Sequence, residues 1–518
     1  MSVETIKILK NMYEKTSICL KLNGQLTQSF RTYRGVRQGC NLSPKLFNIL
    51  INNIPNIFDS SCDPVSIGSI KLNCLMYADD LVLLSTSEAG LQECLNRLHH
   101  YSKNCHLLIN MKKTKIICFS RNGHIPKCQF RLGNQTVEKT KSYKYLGSII
   151  TNTGTFSLNE ITLKKKGLRA SYLISKISIQ AKPSTSIKIF EKVVEPILMY
   201  NCEVSLAYVP KSWNFEKFKN KMWDTGAEVN KVTLSFLRQL LGVHKKTPNL
   251  AILGETGKYP LALKVYTHIF KYWSRLCTSE NKLLKASKEA NILLDQKNHQ
   301  NWLRMIHFLL KFTKTNHSPS KNEIVNNKAA KIFERKLKNA YHNWWTEKMT
   351  SIENRKLSFF YTYKKTFKFE PYLDTVPRHI RLFTTRLRTS SHNYPIEVLR
   401  YNKPVIERQD RKCTICNNNQ VGDELHYLLK CTNYNILNTR QTKMKELREA
   451  VDQFENFSDD CIIQYCLLLH DYRIHNGMAR YVKAIAETYK EETMEKQTIP
   501  ITYTKCGRLV KKPEKLNL

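Results

Sequence analysis

Short apolar runs of strand length recur through the first 150 residues, LNCLMY, LVLLS and KIICFS among them, with glycine and asparagine between them. Within the same stretch LQECLNRLHHYSK spaces its apolar positions at the helical period. Alternation of strand-length and helix-period segments predicts an α+β unit. From about residue 160 to 312 the period turns helical, as in SIKIFEKVVEPILMY, KVTLSFLRQLLGV and NWLRMIHFLLKF, and glycine becomes sparse. TKTNHSPSKN at 313–322 is polar and holds Pro319, which predicts a linker. A second helical stretch, NEIVNNKAAKIFERKLKNAYHNWWTEK, follows it. The last third is basic and irregular around 378–412, gathers cysteine and histidine between 413 and 431, and ends in a basic tail, KCGRLVKKPEKLNL, expected to be disordered.

Two of these segments carry chemistry. In SIKLNCLMYADDLVLLSTS, apolar segments flank Ala78-Asp79-Asp80 and predict a β-hairpin with two carboxylates at its tip. Side chains alternate across a strand, so Asp79 is expected as the inner ligand and Asp80 beside it or in support. Carboxylates raised on a rigid hairpin suit Mg²⁺, a hard ion that takes oxygen ligands and leaves room for substrate phosphates. A solvated Asp-Asp turn is the plain alternative. About 35 residues upstream stands FRTYRGVRQGCNLSPKLFNILINNIP. Ser43 is expected to cap a helix that opens with Pro44 and stacks Leu46, Phe47, Leu50, Ile51 and Ile54 on one face. Gly35 and Gly39 before it would let the backbone approach a ligand, with Arg34, Arg37 and Gln38 presented there.

The second segment is RKCTICNNNQVGDELHYLLKCTNYNILNTR. Cys413 and Cys416 have knuckle spacing, and His426 and Cys431 supply two more donors after a nine-residue gap. Three thiolates and an imidazole fit a closed tetrahedral Zn²⁺ site with no open position for substrate. Because His426 and Cys431 are five residues apart on a helical pattern, that helix must end or bend near Lys430. The plain alternative places His426 and Tyr427 on an ordinary amphipathic helix.

Charge narrows the function classes. With 83 Lys+Arg against 43 Asp+Glu the formal charge is +40 over 518 residues, which favours a polyanionic partner over neutral small molecules. A hydrophobic content of 42% excludes a wholly disordered basic chain. In RHIRLFTTRLRTSSHNY, Arg378, Arg381, Arg386 and Arg388 stand among Phe383 and Tyr394, a mixture suited to RNA unless it is simply a solvated face. No apolar run reaches the length of a membrane span and no signal-peptide pattern opens the chain, so no membrane partner is expected. Sixteen scattered cysteines read as free thiols in a reducing compartment, cytoplasm and nucleus.

RGVRQGCNLSP followed by YADD resembles the palm of a reverse transcriptase of the non-LTR (LINE-type) retrotransposons. RQGCNLSP is similar to the motif that contacts template and substrate, and YADD to the metal-binding motif. LLINMKKTK resembles the following motif, with Asn110 and Lys113 at its N-x-x-K-T positions, and YKYLGSII resembles the primer-grip hairpin through Tyr145, Leu146 and Gly147. LRQLLGVHKKTPNLAILGETGKYPL is similar to the helical region after the palm, with Gly242 capping one helix and Thr247-Pro248 opening the next. The Cys/His spacing, with Tyr434 beyond it, is similar to the C-terminal pattern of these elements, and with LGVHKKTP it favours this branch over group II intron enzymes.

The resemblance implies RNA-directed DNA synthesis by two-Mg²⁺ nucleotidyl transfer, a 3′-hydroxyl attacking the α-phosphate of a dNTP on an RNA template and DNA primer. It assigns Asp79 and Asp80 to the metal, Lys113 as proton donor to pyrophosphate, and Arg37, Gln38, Gly39, Tyr77, Tyr145, Leu146 and Gly147 to substrate and template. The implied fold is α+β: a partial right-hand palm (1–155), a helical thumb-like region (156–312), the linker (313–322), a helical basic region (323–400), a structural Zn²⁺ module (401–450), and a helical region with a basic tail (451–518). One departure weighs against activity. The family's first catalytic aspartate lies upstream of RQGCNLSP, yet Glu4 and Glu14 are the only carboxylates before Gly35. The fingers and the N-terminal endonuclease portion are likewise expected to be missing, and this stretch alone is expected to be inactive. The alternative is a non-catalytic nucleic-acid-binding remnant.

Overall fold

The computed structural model describes residues 2–495 apart from 15, 34, 121, 122, 124, 126, 179, 208–213, 225, 298, 300, 316–326, 352–355, 450–456 and 469–471. Arg34, most of the expected linker and the basic tail with Cys506 lie outside the described residues. The chain divides into two compact units. One holds Met1–Tyr143, Thr151–Gly154 and Asn281–Ala290; the other holds Lys144–Ile150, Thr155–Glu280 and Asn291–Leu518.

The first unit is α+β, with small sheets. Its core sets the helix Glu88–Asn104 against three short strands, Lys115–Ile116, Phe130–Leu132 and Gln135–Lys139, through Leu95, Ile116, Phe130, Leu132 and Val137. The middle strand of that sheet, Gln135–Lys139, pairs antiparallel with Phe130–Leu132 and parallel with Lys115–Ile116. The helix forms where the period predicts it. Ser87 caps it by accepting from the Gly90 N–H, and Glu88 and Lys103 oppose the macrodipole at its two ends. LNCLMY and LVLLS become the paired strands Cys74–Tyr77 and Asp80–Leu83. KIICFS is a strand only at Lys115–Ile116.

The upstream helix departs from expectation in its cap. It runs Ser43–Ile51 after Leu42, which makes no side-chain cap. Ser43 Oγ instead donates to the Arg37 carbonyl at 2.6 Å and lies 3.3 Å from the Tyr13 hydroxyl, tying the glycine loop closed. Ile51 and Ile54 are buried on the expected face, while Leu50 is exposed.

The second unit is helical. Ala227–Leu241 ends on Gly242 at φ +66, whose N–H reaches the carbonyls of Arg238 and Gln239. A Cβ there would also meet Leu382 Cδ2 at 2.2 Å, so glycine is required both by conformation and by space. At the centre of this unit Arg388 is 1% and Glu255 0% exposed. Arg388 Nε donates to Glu255 Oε1 at 2.8 Å and Nη1 to the Leu467 carbonyl at 2.7 Å. The buried Tyr372 hydroxyl donates to the same carboxylate at 2.7 Å, and Lys364 pairs with Glu370 alongside. Arg381 is buried too, giving its guanidinium to the Leu373 carbonyl, and Tyr394 is core. Two of the four arginines read as an RNA face are therefore interior: Arg388 meets partners far away in sequence, and Arg381 turns back onto a carbonyl eight residues before it.

The Cys/His segment shares one core with the helices that follow it. Ile415, Tyr427, Leu428 and Cys431 pack with Ile463, Cys466, Met478, Tyr481 and Ile485. Glu255→Gln leaves the buried Arg388 with only Glu370, 3.9 Å from Nη2 and shared with Lys364, as a counter-charge. It is expected to lower the stability of the second unit by about 3 kcal/mol, read from the urea midpoint; a loss below about 1 kcal/mol would show that Glu370 alone compensates the charge.

Candidate functional site

The carboxylate hairpin is built by a two-residue turn. Tyr77 pairs with Asp80 across the strands, leaving Ala78 and Asp79 at the tip. Ala78 sits at φ +51, a left-handed conformation that a side chain adopts at a cost of about 1–2 kcal/mol. Asp79, Asp80 and Tyr77 are exposed, and neither carboxylate has a hydrogen-bond or ion-pair partner among the described residues. Two bare carboxylates on a stiff turn are a fit donor set for a hard divalent cation.

The glycine loop lies in the same unit. Gly39 stands at φ +82 with nothing within 4 Å of the Cβ it lacks, so the backbone conformation alone asks for glycine. Gln38 is exposed. Arg37 is folded back: its guanidinium donates to the Met12 carbonyl and to Thr16 Oγ1 and lies over the Tyr13 ring at 5.4 Å. It thereby caps the end of helix Val3–Glu14, a place that favours a cation. The N-x-x-K-T segment closes as a turn in which the Lys113 N–H donates to Asn110 Oδ1 at 3.2 Å and the Thr114 hydroxyl to the Asn110 carbonyl at 2.9 Å. The Lys113 side chain is left exposed.

Tyr145, Leu146 and Gly147 belong to the second unit. Leu146 and Gly147 form the turn between strands Ser142–Tyr145 and Ser148–Thr151, at φ +44 and +83. The Tyr200 hydroxyl donates to the Leu146 carbonyl at 2.8 Å and covers Gly147 so closely that a Cβ would lie 2.9 Å from the ring. Sequence reasoning found the turn but not the tyrosine that locks it.

Cys413, Cys416, His426 and Cys431 converge, each donor atom within 4.8 Å of the others. A tetrahedral ion with bonds of about 2.3 Å to sulfur needs ligands roughly 3.8 Å apart, so these four can hold a metal with small adjustment. Local hydrogen bonds make the cluster. Cys413 N–H donates to the Gln420 carbonyl and Gly422 N–H to the Arg411 carbonyl, doubling the chain back between the two ligand pairs. His426–Lys430 winds as a π-helix, and the Cys431 N–H donates to the His426 carbonyl at 2.7 Å. That wide turn is how the five-residue spacing brings both donors to one point, and the helix stops at Lys430 as the spacing requires.

Supporting groups surround the donors. His426 Nδ1 faces Gln420 Oε1 at 3.3 Å, which leaves Nε2, 3.5 Å from Cys416 Sγ, for a metal. The Tyr427 hydroxyl donates to Cys413 Sγ at 3.3 Å, and Arg440 holds the Leu429 and Cys431 carbonyls. The hydrogen bond from Cys431 holds the Cys413 thiol well below its ordinary range, while that bond and burial push Cys431 up. Gln420, Tyr427 and Arg440 left no signal in the sequence, because ligand spacing says nothing about what orients the ligands.

Residues 1–150 match the family model described as reverse transcriptase (RNA-dependent DNA polymerase). The chain is 26% identical over 212 residues to the RNA-directed DNA polymerase from mobile element jockey of Drosophila melanogaster, covering 38% of this chain and 22% of that protein. It is 29% identical over 166 residues to the Pol polyprotein of the type-2 retrotransposable element R2DM of the same fly, covering 30% and 15%. Against the type-1 element R2 of Nasonia vitripennis it is 32% identical over 136 residues, covering 24% and 13%. The first 150 residues are thus a reverse transcriptase domain. The chain is similar to the reverse transcriptases of LINE-type, non-LTR retrotransposons, and it spans about a fifth or less of the length of these relatives. No helix among the described residues is long and apolar enough to cross a membrane.

Gly147→Ala is expected to destabilise the hairpin by about 1–2 kcal/mol, through both its positive φ and the Tyr200 ring. Thermal unfolding measures it, with Tyr200→Phe as the companion that removes only one hydrogen bond and costs about 1 kcal/mol. Equal stability of Gly147→Ala and the parent would show that the turn relaxes freely.

Proposed function

We propose that this chain supplies the palm of an RNA-directed DNA polymerase within a LINE-type retroelement, extending a DNA primer along an RNA template with dNTPs. The observation that carries the reading is the hairpin of bare carboxylates, Asp79 and Asp80, inside the matched domain. These two would hold Mg²⁺, which when bound neutralises charge developing on the transferred phosphoryl group. Gln38 and the Gly39 backbone would face the nascent base pair, with Tyr77 beside the metal ligands. Exposed Lys113 would carry the proton that departing pyrophosphate takes up. The Tyr145–Gly147 turn would hold the primer. Arg37 would act by fixing the loop rather than by touching the template, since its donors are already engaged.

A catalytically silent, nucleic-acid-binding role is the second reading. It is favoured by the surplus of +40, which suits a polyanionic partner with or without catalysis, while two-metal transfer needs carboxylates beyond Asp79 and Asp80. On poly(rA)/oligo(dT) with dTTP and Mg²⁺ or Mn²⁺, the 518-residue chain by itself is expected not to extend. Joined to a fingers segment bearing the first aspartate motif of the jockey relative, it should extend, and Asp79→Ala should then lower the rate at least about a hundredfold. Extension by the chain alone that vanishes in Asp79→Ala would reveal a substitute ligand. A joined protein that never extends would favour the silent reading.

In the second unit, Cys413, Cys416, His426 and Cys431 are proposed to bind one structural Zn²⁺, closing the site and fixing the surrounding core. Native mass spectrometry of the full chain should show one zinc, lost in Cys431→Ser. Gln420→Leu, which frees the histidine ring, should weaken zinc at least about tenfold. Zinc retained at parental affinity in Cys431→Ser would remove that residue from the site.

A further inference from the structure

The loop after Gly242 reads HKK, and all three side chains, His244, Lys245 and Lys246, are exposed. The loop is nonetheless firmly held. His244 N–H donates to Ser391 Oγ at 2.7 Å, Lys246 N–H to His244 Nδ1 at 3.2 Å, and Thr247 N–H to the His244 carbonyl at 3.0 Å. Arg386 Nε donates to the Gly242 carbonyl at 2.7 Å, which brings a further exposed arginine to the start of the loop.

Against this loop stands Tyr401, 44% exposed. Lys246 Nζ lies 3.8 Å from the centre of its ring, and Lys356 Nζ lies 5.4 Å from the same centre while donating to the Tyr401 hydroxyl at 2.9 Å. Two ammonium groups thus share one aromatic ring. Arg400 adds a third cation, and Glu397 is the carboxylate that answers them, 3.1 Å from Lys356 and 2.7 Å from Arg400. Lys245 and Lys403 extend the surface with no ion pair among the described residues. Like charges gathered on a stiff scaffold repel one another until an anion binds between them. A tyrosine ring open to solvent among them adds a flat face on which a base can stack.

We propose that Lys245, Lys246, Tyr401 and Arg386 form a contact site for single-stranded RNA, the lysines and arginine taking consecutive phosphates and the free part of the Tyr401 ring a base, while Lys356, held by Glu397, the Tyr401 hydroxyl and the Lys246 carbonyl, positions the ring. The site lies in the second unit and uses none of the carboxylate hairpin or the Cys/His donors. It rests on the reading of the chain as an RNA-handling protein and locates where one strand is held. RNA is favoured over an anionic membrane because a ring beside paired cations matches a repeating phosphate–base polymer.

The test uses the full chain and a fluorescently labelled 20-nucleotide single-stranded RNA, with affinity followed from low to moderate salt. Log affinity should fall linearly with log salt, with a slope of about −0.7 per phosphate contact. The pair Lys245→Gln/Lys246→Gln should flatten the slope by about 1.4, and Lys188→Gln, an exposed lysine on helix Pro183–Val193, should leave it within error. Tyr401→Ala should weaken binding about tenfold while Tyr401→Phe keeps it, so a fold defect and a lost ring are told apart. RNA carrying 4-thiouridine should crosslink to peptides containing Lys246 or Tyr401. If the parent binds RNA but the double lysine variant keeps the parental slope and affinity, this site is wrong and the wider reading stands. If the parent binds phosphatidylserine vesicles and no RNA at any salt, the wider reading falls with it.

Discussion

A guanidinium and a carboxylate shut away from water, such as Arg388 and Glu255, persist only if each neutralises the other and every remaining donor and acceptor finds a partner. Here they do. Tyr372 and Thr385 complete the carboxylate side, and the Leu467 carbonyl takes the last guanidinium edge. The Glu370 N–H donates to the Glu255 carbonyl, and a Cβ on Gly257 would collide with the backbone at Phe369, so the chain segments around this pair pass at the minimum distance backbones allow. Since Leu467 ends the helix Asp459–Leu468, one buried charge pair fixes that helix relative to Arg378–Arg388 and Asn249–Thr256. The Cys/His donors sit in the core those helices build, and the HKK loop is pinned by Arg386 and Ser391 just beyond.

What could be read from the sequence was what is set locally. The hairpin follows from two strand-length runs separated by Ala78-Asp79-Asp80, of which the structure takes Asp80 into the second strand. The Gly242 cap follows from a helical period ending on glycine. The bend at Lys430 follows from the arithmetic of two donors five residues apart. The arginines of RHIRLFTTRLR were misread for the opposite reason. Glu255 lies 133 residues before Arg388, and nothing in the local pattern separates an arginine that meets a distant carboxylate from one that meets water. Ser43 shows the same limit at short range: its hydroxyl had two destinations, the helix and the loop carbonyl of Arg37, and only the closed loop selects between them.

The reverse transcriptase motifs differ in how much their local surroundings demand. Asp79 and Asp80 have no partner among the described residues, so little in the described structure restrains the choice of residue at the carboxylates. Gly147, by contrast, is imposed by Tyr200, and Asn110 by the turn it closes. Residues of the second kind are maintained by folding alone. Residues of the first kind have no structural reason to be what they are, and for that reason they carry the functional argument in the palm.

The same distinction applies to charge. A surplus of +40 belongs to the whole chain, but a cation already spent inside the protein contributes nothing to a phosphate. Arg304, Arg388 and Lys364 are almost wholly buried, Arg381 is committed to a carbonyl, and Lys258 is held between Glu191 and Glu195. Each was counted in the composition and none is available. Lys246 stands differently: its ammonium lies over a half-exposed ring, and the exposed Lys245 beside it has no ion pair among the described residues, whereas Lys356 is held by Glu397 and the Tyr401 hydroxyl. Nucleic-acid affinity in such a chain is therefore set by where compensation fails, and the density of arginine along the sequence is a poor guide to it.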